Sequence, residues 1–174
     1  MSATVLLVAE DSFFLQNLTD FLKHLKASVV TAGSKHEALE VCSNHEVDLA
    51  LLDIRQQGND AMQVMARLKK NQPGAEVILL IAPENIGLAM EGMQQGASDD
   101  IIVPFDVDQL RKKINSALKR RRAQLKASRK GTLLNTFQDA MVAATFAQAG
   151  EFETAQEIYA ESAEKSNRRK GTVG

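Results

Sequence analysis

The sequence contains one cysteine, no tryptophan and three prolines, and no apolar stretch approaches the roughly 18 residues of a membrane-spanning helix. Its single thiol, Cys42, cannot form a disulfide within the chain and has no second cysteine nearby for a metal or redox motif. No basic segment or cleavage signal precedes the first apolar run. We therefore expect no disulfide scaffold, no membrane span and a location in the cytoplasm.

Charge is distributed unevenly, although the formal net charge is only −1. Residues 1–110 contain 16 acidic and 7 basic residues, whereas residues 111–130 contain ten basic residues and no acidic one. The basic segment lacks the aromatic residues and the helix-turn-helix pattern that accompany base recognition, which makes DNA an improbable partner. Pairing of this arm with the acidic region, within one chain or across a dimer, is the better interpretation.

Five short apolar runs alternate with segments of helical periodicity. The runs cover residues 4–9, 28–32, 48–52, 76–82 and 100–103. Continuous apolar runs of this length are typical of strands buried on both faces of a parallel sheet, so the alternation predicts a doubly wound five-stranded α/β fold. The first helix is expected to begin at its N-cap, Ser12.

The chain beyond the last run is predicted to be helical. A helix that begins near Asp106 has apolar residues at Leu110, Ile114 and Leu118, and nothing interrupts its pattern before Gly131. A helix of this length exceeds the sheet, so we expect an extended last helix whose final turns project from the domain.

Residues 132–167 are predicted to form a helical hairpin hinged near Gly150. The segment resembles a single tetratricopeptide-type repeat, with Ala144, Phe152 and Tyr159 at positions typical of that family. An amphipathic hairpin unrelated to that family is an equally good interpretation. Because a lone repeat leaves an apolar face open, we expect residues 106–166 to form a homodimer interface.

Acidic residues stand at the ends of two apolar runs. Glu10 and Asp11 follow the first run, and Asp53 ends the third. Because the carboxyl ends of parallel strands meet at one edge of a sheet, we expect these three carboxylates to converge. They would repel one another unless a divalent cation lay between them, and hard oxygen ligands suit Mg²⁺. The sequence therefore predicts a magnesium-assisted phosphoryl site.

Four segments occur in the order and spacing of the receiver domain of two-component response regulators. They read VLLVAEDS, VDLALLDIRQQGNDA, VILLIAPEN and GASDDIIVPFD, and the resemblance covers about residues 4–120. It implies a CheY-like, flavodoxin-like fold. It also implies Mg²⁺ bound by Glu10, Asp11, Asp53 and the backbone carbonyl of Arg55. Asp53 would accept a phosphoryl group from a histidine kinase or phosphotransfer protein.

Three positions that the family uses for switching depart from its pattern. Ile81 stands where a Thr or Ser hydrogen-bonds the phosphoryl group, and Val103 stands where a Lys neutralises it. Asp100 stands where an aromatic side chain moves inward, and a carboxylate resists entering an apolar slot. Without the lysine side chain, the negative charge that develops on the transferring phosphoryl group is not neutralised at position 103. Arg55, two residues after Asp53, is a candidate for contacting the phosphate instead.

Two functions follow from these residues. The first is an atypical phosphorelay receiver whose output is protein association, favoured by Glu10, Asp11 and Asp53. The second is a phosphorylation-independent pseudo-receiver that acts as an interaction scaffold, favoured by the altered switch positions. A phosphatase with an Asp nucleophile would need an acid where Arg55 stands, so we expect no enzyme. The predicted organisation is a receiver domain at 1–120, a basic helical extension at 121–131, the hairpin at 132–167 and a disordered end at 168–174.

Overall fold

A computed structural model of the chain describes residues 2–25, 27–56 and 58–148, and side chains up to residue 145 of those ranges. The chain divides into two units, Met1–Ala123 and Gln124–Gly174. Among the described helices, none combines the length and apolar character needed to cross a membrane. The predicted second helix of the hairpin, its hinge at Gly150 and the predicted disordered end lie outside the described residues.

The first unit is built on a five-stranded parallel sheet. Its strands are β1 (Ala3–Val8), β2 (Ala27–Ala32), β3 (Leu49–Asp53), β4 (Glu76–Ile81) and β5 (Asp99–Ile102). They are ordered β2-β1-β3-β4-β5, and each begins and ends within one residue of the corresponding apolar run. This arrangement confirms the predicted doubly wound α/β fold.

Helices connect successive strands, and a further helix follows the last strand. They are α1 (Ser12–Lys23), α2 (Lys35–Asn44), α3 (Gly58–Asn71), α4 (Ile86–Gln94) after a short 3₁₀ turn at Pro83–Asn85, and α5 (Val107–Gln148). One apolar core lies between the sheet and α2, α3 and α4, and a second lies between the sheet and α1 and the first part of α5. Leu51 of β3 belongs to one core and Leu52 to the other. The apolar runs are continuous because both faces of the strands are buried.

Two details of the helices differ from the sequence expectation. The N-cap of α1 is Asp11, whose Oδ1 accepts the backbone N–H groups of Phe13 and Phe14, both at 3.0 Å. Ser12 is instead the first helical residue. A carboxylate at this position also interacts favourably with the partial positive charge of the helix N-terminus.

Helix α5 continues through Gly131, where the apolar pattern suggested an interruption. A Cβ added at Gly131 would have nothing within 4 Å, so the position is open. A glycine in an exposed helix costs only about 1 kcal/mol relative to alanine, which neighbouring turns readily offset. The first predicted hairpin helix is therefore continuous with α5, while the proposed domain boundaries stay predictions.

Basic residues of α5 pair with acidic residues of the first unit. Arg121 is 9% exposed and donates to Asp48 at 3.2 Å and to Glu46 at 3.3 Å. Arg120 donates to Glu76 at 2.8 Å. Part of the charge pairing expected between the basic arm and the acidic region therefore forms within a single chain.

Candidate functional site

The three predicted carboxylates follow neighbouring strands. Strands β1 and β3 pair so that Val8 lies beside Leu52, and Asp53 is the next residue along β3. The loop after β1 contains Glu10 and Asp11. Glu10 and Asp53 line the same cavity at the carboxyl edge of the sheet, so the strand register accounts for this convergence.

Asp53 forms a bidentate ion pair with Arg55. Nε of Arg55 donates to Oδ1 of Asp53 at 2.9 Å, and Nη2 donates to Oδ2 at 2.7 Å. The backbone N–H of Arg55 also donates to Oδ1, at 3.0 Å. The Asp53 side chain is only 6% exposed. Three N–H groups of Arg55 therefore donate to the poorly exposed carboxylate of Asp53, and the guanidinium neutralises its charge.

The guanidinium group of Arg55 also contacts the aromatic ring of Phe14. The Arg55 Cζ atom lies 4.3 Å from the centroid of the Phe14 ring, a cation–π distance. Phe14 belongs to α1 and packs against the core between α1 and the sheet. The pKa of Arg55 is raised above its ordinary value, first by the hydrogen bonds to Asp53 and also by the charges of Asp53 and Asp11. Arg55 is therefore a permanent cation in this site.

The oxygen donors match Mg²⁺ in kind but are not gathered around one point. Within the described ranges, no three side chains from His, Cys, Asp and Glu are grouped so that they could hold a metal. Asp53 presents both oxygens to Arg55, and Asp11 caps α1. Carboxylates and a carbonyl suit a hard cation chemically. The predicted ligand set of Glu10, Asp11, Asp53 and the Arg55 carbonyl stays a prediction.

A second cation, Lys35, lines the same cavity as Asp53. The cavity that Asp53 lines is bounded by the start of α2 and the start of α3, and includes Ser34, Lys35 and Asp60. Nζ of Lys35 and Oδ1 of Asp60 form an ion pair at 3.1 Å. This pair was not predicted from the sequence. Lys35 follows the carboxyl end of β2, just as Glu10 follows that of β1. Because the carboxyl ends of parallel strands lie at one edge of the sheet, the position of Lys35 could have been predicted in the same way.

The altered switch positions lie on β4 and β5 and the residue after β5. Ile81 ends β4 with 2% exposure, and its carbonyl accepts the backbone N–H of Val103 at 2.7 Å. Val103 packs against the core beneath α1 and α5, and Asp100 is half-buried on β5. The side chains of Ile81 and Val103 are aliphatic, so neither position supplies a hydrogen-bond donor or a positive charge.

Comparison with known proteins gives a consistent result. Residues 5–115 match the model of the response regulator receiver domain. Transcriptional regulatory protein GlrR of Escherichia coli (strain K12) is 40% identical over 116 residues, which are 67% of this chain and 26% of GlrR. Regulatory protein LuxO of Vibrio cholerae serotype O1 is 31% identical over 100 residues, 58% of this chain and 22% of LuxO.

The chain thus spans about a quarter of the length of these two curated relatives. Among solved structures, the CheY-like receiver domain protein from Methanospirillum hungatei JF-1 superposes with a TM-score of 0.67 at 22% identity. The match covers 71% of this chain and 99% of that one, and it supports the fold. Together with the strand order and the acidic edge, the family match shows that the chain belongs to the response regulator receiver domain family of two-component signalling.

Proposed function

We propose that this chain is an atypical phosphorelay receiver in which Asp53 accepts a phosphoryl group from a histidine kinase or phosphotransfer protein. The observation that carries the proposal is the Asp53–Arg55 pair. It supplies a cation, held at 2.7 and 2.9 Å, to a poorly exposed carboxylate at the end of the central strand β3. Phosphoryl transfer is catalysed largely by positioning and by charge neutralisation, and a guanidinium released from Asp53 is close enough to neutralise a phosphoryl group on that residue.

In the proposed step, a carboxylate oxygen of Asp53 attacks the phosphorus atom of a phosphohistidine. The P–N bond breaks, its electron pair returns to the imidazole nitrogen, and an acyl phosphate forms on Asp53. Before this attack the Arg55 side chain releases Asp53, and its planar fork can then bind the phosphoryl oxygens, since it suits either group. Arg55 thereby supplies the charge that Val103 cannot.

Receiver domains as a family bind Mg²⁺ in an acidic pocket of this kind. We propose that Glu10, Asp11, Asp53 and the backbone carbonyl of Arg55 hold it here. When bound, the metal would supply neutralising charge to the transferring phosphoryl group. Glu10 is exposed at the mouth of the cavity, and the Arg55 side chain must first release Asp53.

The proposed output is protein association, with little conformational relay inside the receiver. The side chains of Ile81 and Val103 offer neither a hydrogen-bond donor nor a positive charge to a phosphoryl oxygen. Helix α5 exposes several large apolar side chains in the second unit: Leu133, Leu134, Phe137, Met141 and Val142. Exposed apolar side chains grouped in this way are typical of interfaces. We propose a homodimer through residues 106–166, in the cytoplasm and without DNA contact.

A phosphorylation-independent pseudo-receiver is the second candidate. The specific observation in its favour is that Arg55 already satisfies both oxygens of Asp53. In that case the acidic edge is only a structural feature, and the chain acts as an interaction scaffold. Neither candidate is an enzyme acting on a separate substrate.

Intact mass spectrometry distinguishes the two candidates. The full chain is incubated with Mg²⁺ and acetyl phosphate, beside an Asp53→Asn variant as the matched control. A mass increase of one phosphoryl group in the wild type alone supports the acceptor function. Absence of the adduct under conditions that label an ordinary receiver domain would favour the scaffold.

A further inference from the structure

Both carboxylate oxygens of Asp53, a predicted metal ligand, already accept hydrogen bonds from the Arg55 side chain. We infer that Arg55 is a resident cation that determines what Asp53 binds, and that it excludes a divalent metal from Asp53 until its side chain is released. The inference deepens the proposed acceptor function and rests on it for its biological meaning. It concerns metal affinity, however, and can be tested without phosphorylation.

Most acceptor sites of Asp53 are already used by Arg55. An ionised carboxylate offers about four lone-pair sites. Oδ1 accepts from the Nε and backbone nitrogen atoms of Arg55, and Oδ2 accepts from Nη2. A metal bound to the remaining site on Oδ2 would lie close to the guanidinium charge, and like charges at that distance repel strongly in a poorly solvated site.

Arg55 is held by Phe14 as well as by Asp53. Its guanidinium packs on the Phe14 ring at 4.3 Å while it holds Asp53, and Phe14 is fixed by the core beneath α1. An arginine held by one ion pair at an open surface would exchange readily with a metal. Here the stacking contact must also be lost before Asp53 is free.

The expected effect follows from competition. If the Asp53–Arg55 pair is closed in nine molecules of ten, the apparent dissociation constant for a metal rises about tenfold. Replacing Arg55 with alanine should therefore lower the apparent Kd for Mg²⁺ by about tenfold. Arg55→Lys should give an intermediate value, because an ammonium group carries the charge but lacks the bidentate fork.

The experiment is a Mg²⁺ titration of the full chain, followed by the amide NMR shifts of the loops after β1 and β3. Arg111→Ala is a matched control, because Arg111 also pairs with an aspartate, Asp108 at 2.9 Å, and lies 5.7 Å from the ring centroid of Phe21. It removes the same charge and the same two kinds of contact away from the acidic edge. Phe14→Leu keeps an apolar side chain but removes the stacking surface, so it should also tighten Mg²⁺ binding.

Tighter binding in Arg55→Ala, with Arg111→Ala equal to wild type, supports the inference. Equal affinity in wild type, Arg55→Ala and Arg111→Ala would overturn it. So would equal tightening in both arginine variants, since net charge alone would then explain the effect. Failure of the acceptor function would be seen separately, by mass spectrometry. If Arg55→Ala binds Mg²⁺ more tightly but neither it nor the wild type gains a phosphoryl group, the inference about Arg55 holds and the proposed phosphorylation of Asp53 is refuted.

Discussion

Arg120 donates two hydrogen bonds to the same oxygen of Glu76, from Nε at 2.9 Å and from Nη2 at 2.8 Å. Glu76 is the first residue of β4, and its side chain is 6% exposed. Arg121 binds Asp48 beside it, just before β3. These contacts lie at the amino ends of the strands, whereas Asp53 lies at a carboxyl end. The first part of α5 is therefore anchored at the edge of the sheet remote from the candidate site.

Arg120→Ala should destabilise the first unit, because it leaves the Glu76 carboxylate buried without its partner. Breaking a buried pair costs several kcal/mol, but Arg120 is 45% exposed and water can replace part of its contact. We expect a loss of about 1–2 kcal/mol in the free energy of unfolding by urea. Arg122→Ala, at an exposed position two residues away, should be close to neutral. Equal losses in both variants would contradict the role of the pair.

Gly92→Ala should destabilise the contact between α4 and β4. A Cβ at Gly92 would lie 2.5 Å from Cδ1 of Leu79, which is buried in the sheet. Forcing extra volume into a packed core costs about 1–3 kcal/mol. Gly87→Ala in the same helix is the control, since nothing lies within 4 Å of its added Cβ. It should instead stabilise the fold by up to about 1 kcal/mol in thermal or urea unfolding.

The partly buried amine of Lys69 gives stability a pH dependence. Burial lowers the pKa of Lys69 below its ordinary value of 10.5, so in its titration range the unfolded chain binds more protons than the folded chain. The free energy of unfolding of the wild type should therefore rise, relative to Lys69→Met, as the pH increases towards 10.5. Lys70→Met, at an exposed position, corrects for the other lysines. A difference that stays constant over this pH range would contradict the prediction.

Phosphorylation of Asp53 should change backbone protection only near the acceptor. The side chains of Ile81 and Val103 cannot bond to a phosphoryl oxygen, and Asp100 is a half-buried carboxylate on β5. Hydrogen exchange is compared with and without beryllofluoride, a phosphoryl mimic, and Asp53→Asn serves as the control. Broad changes across β4 and β5 would show that the relay survives by another route, with Arg55 as the first residue to test.

The sheet was predictable because its signal is local. Each strand is a short apolar run. Because the carboxyl ends of parallel strands lie at the same edge of a sheet, Glu10 and Asp53 were expected to come together. Asp11 as the N-cap of α1 was missed, because Ser12 is an equally good capping residue and only backbone geometry separates the two. The uninterrupted α5 was missed because a glycine at an open position costs too little to end a helix.

The contacts of the site itself were less accessible from sequence. Arg55 was recognised as able to reach a phosphate, but its pairing with Asp53 depends on the side-chain geometry of two residues in one turn. The Lys35–Asp60 pair joins residues 25 positions apart. It exists because α2 and α3 pack side by side on the same face of the sheet. Such pairs follow from tertiary packing, which no local pattern encodes.

The second unit should mediate self-association. Phe137 is 66% exposed and Leu133 is 70% exposed on α5, and apolar side chains grouped in this way are typical of an interface. We expect the full chain to sediment as a dimer or larger species, and the first unit, ending at residue 123, to sediment as a monomer. Ending the truncation at 123 retains Arg120 and Arg121, so loss of their ion pairs cannot explain the result.

A charge placed on the apolar side of α5 tests the interface more directly. Phe137→Glu should weaken self-association in sedimentation velocity, because it would place a carboxylate in an apolar contact. Asn135→Glu adds the same charge at an exposed polar position of the same helix and should leave association unchanged. Charge pairing is screened beyond about 8–10 Å at physiological ionic strength, whereas apolar burial is not. Association through this surface should therefore persist at high salt, and a wild-type chain that stays monomeric at high protein concentration would refute the interface.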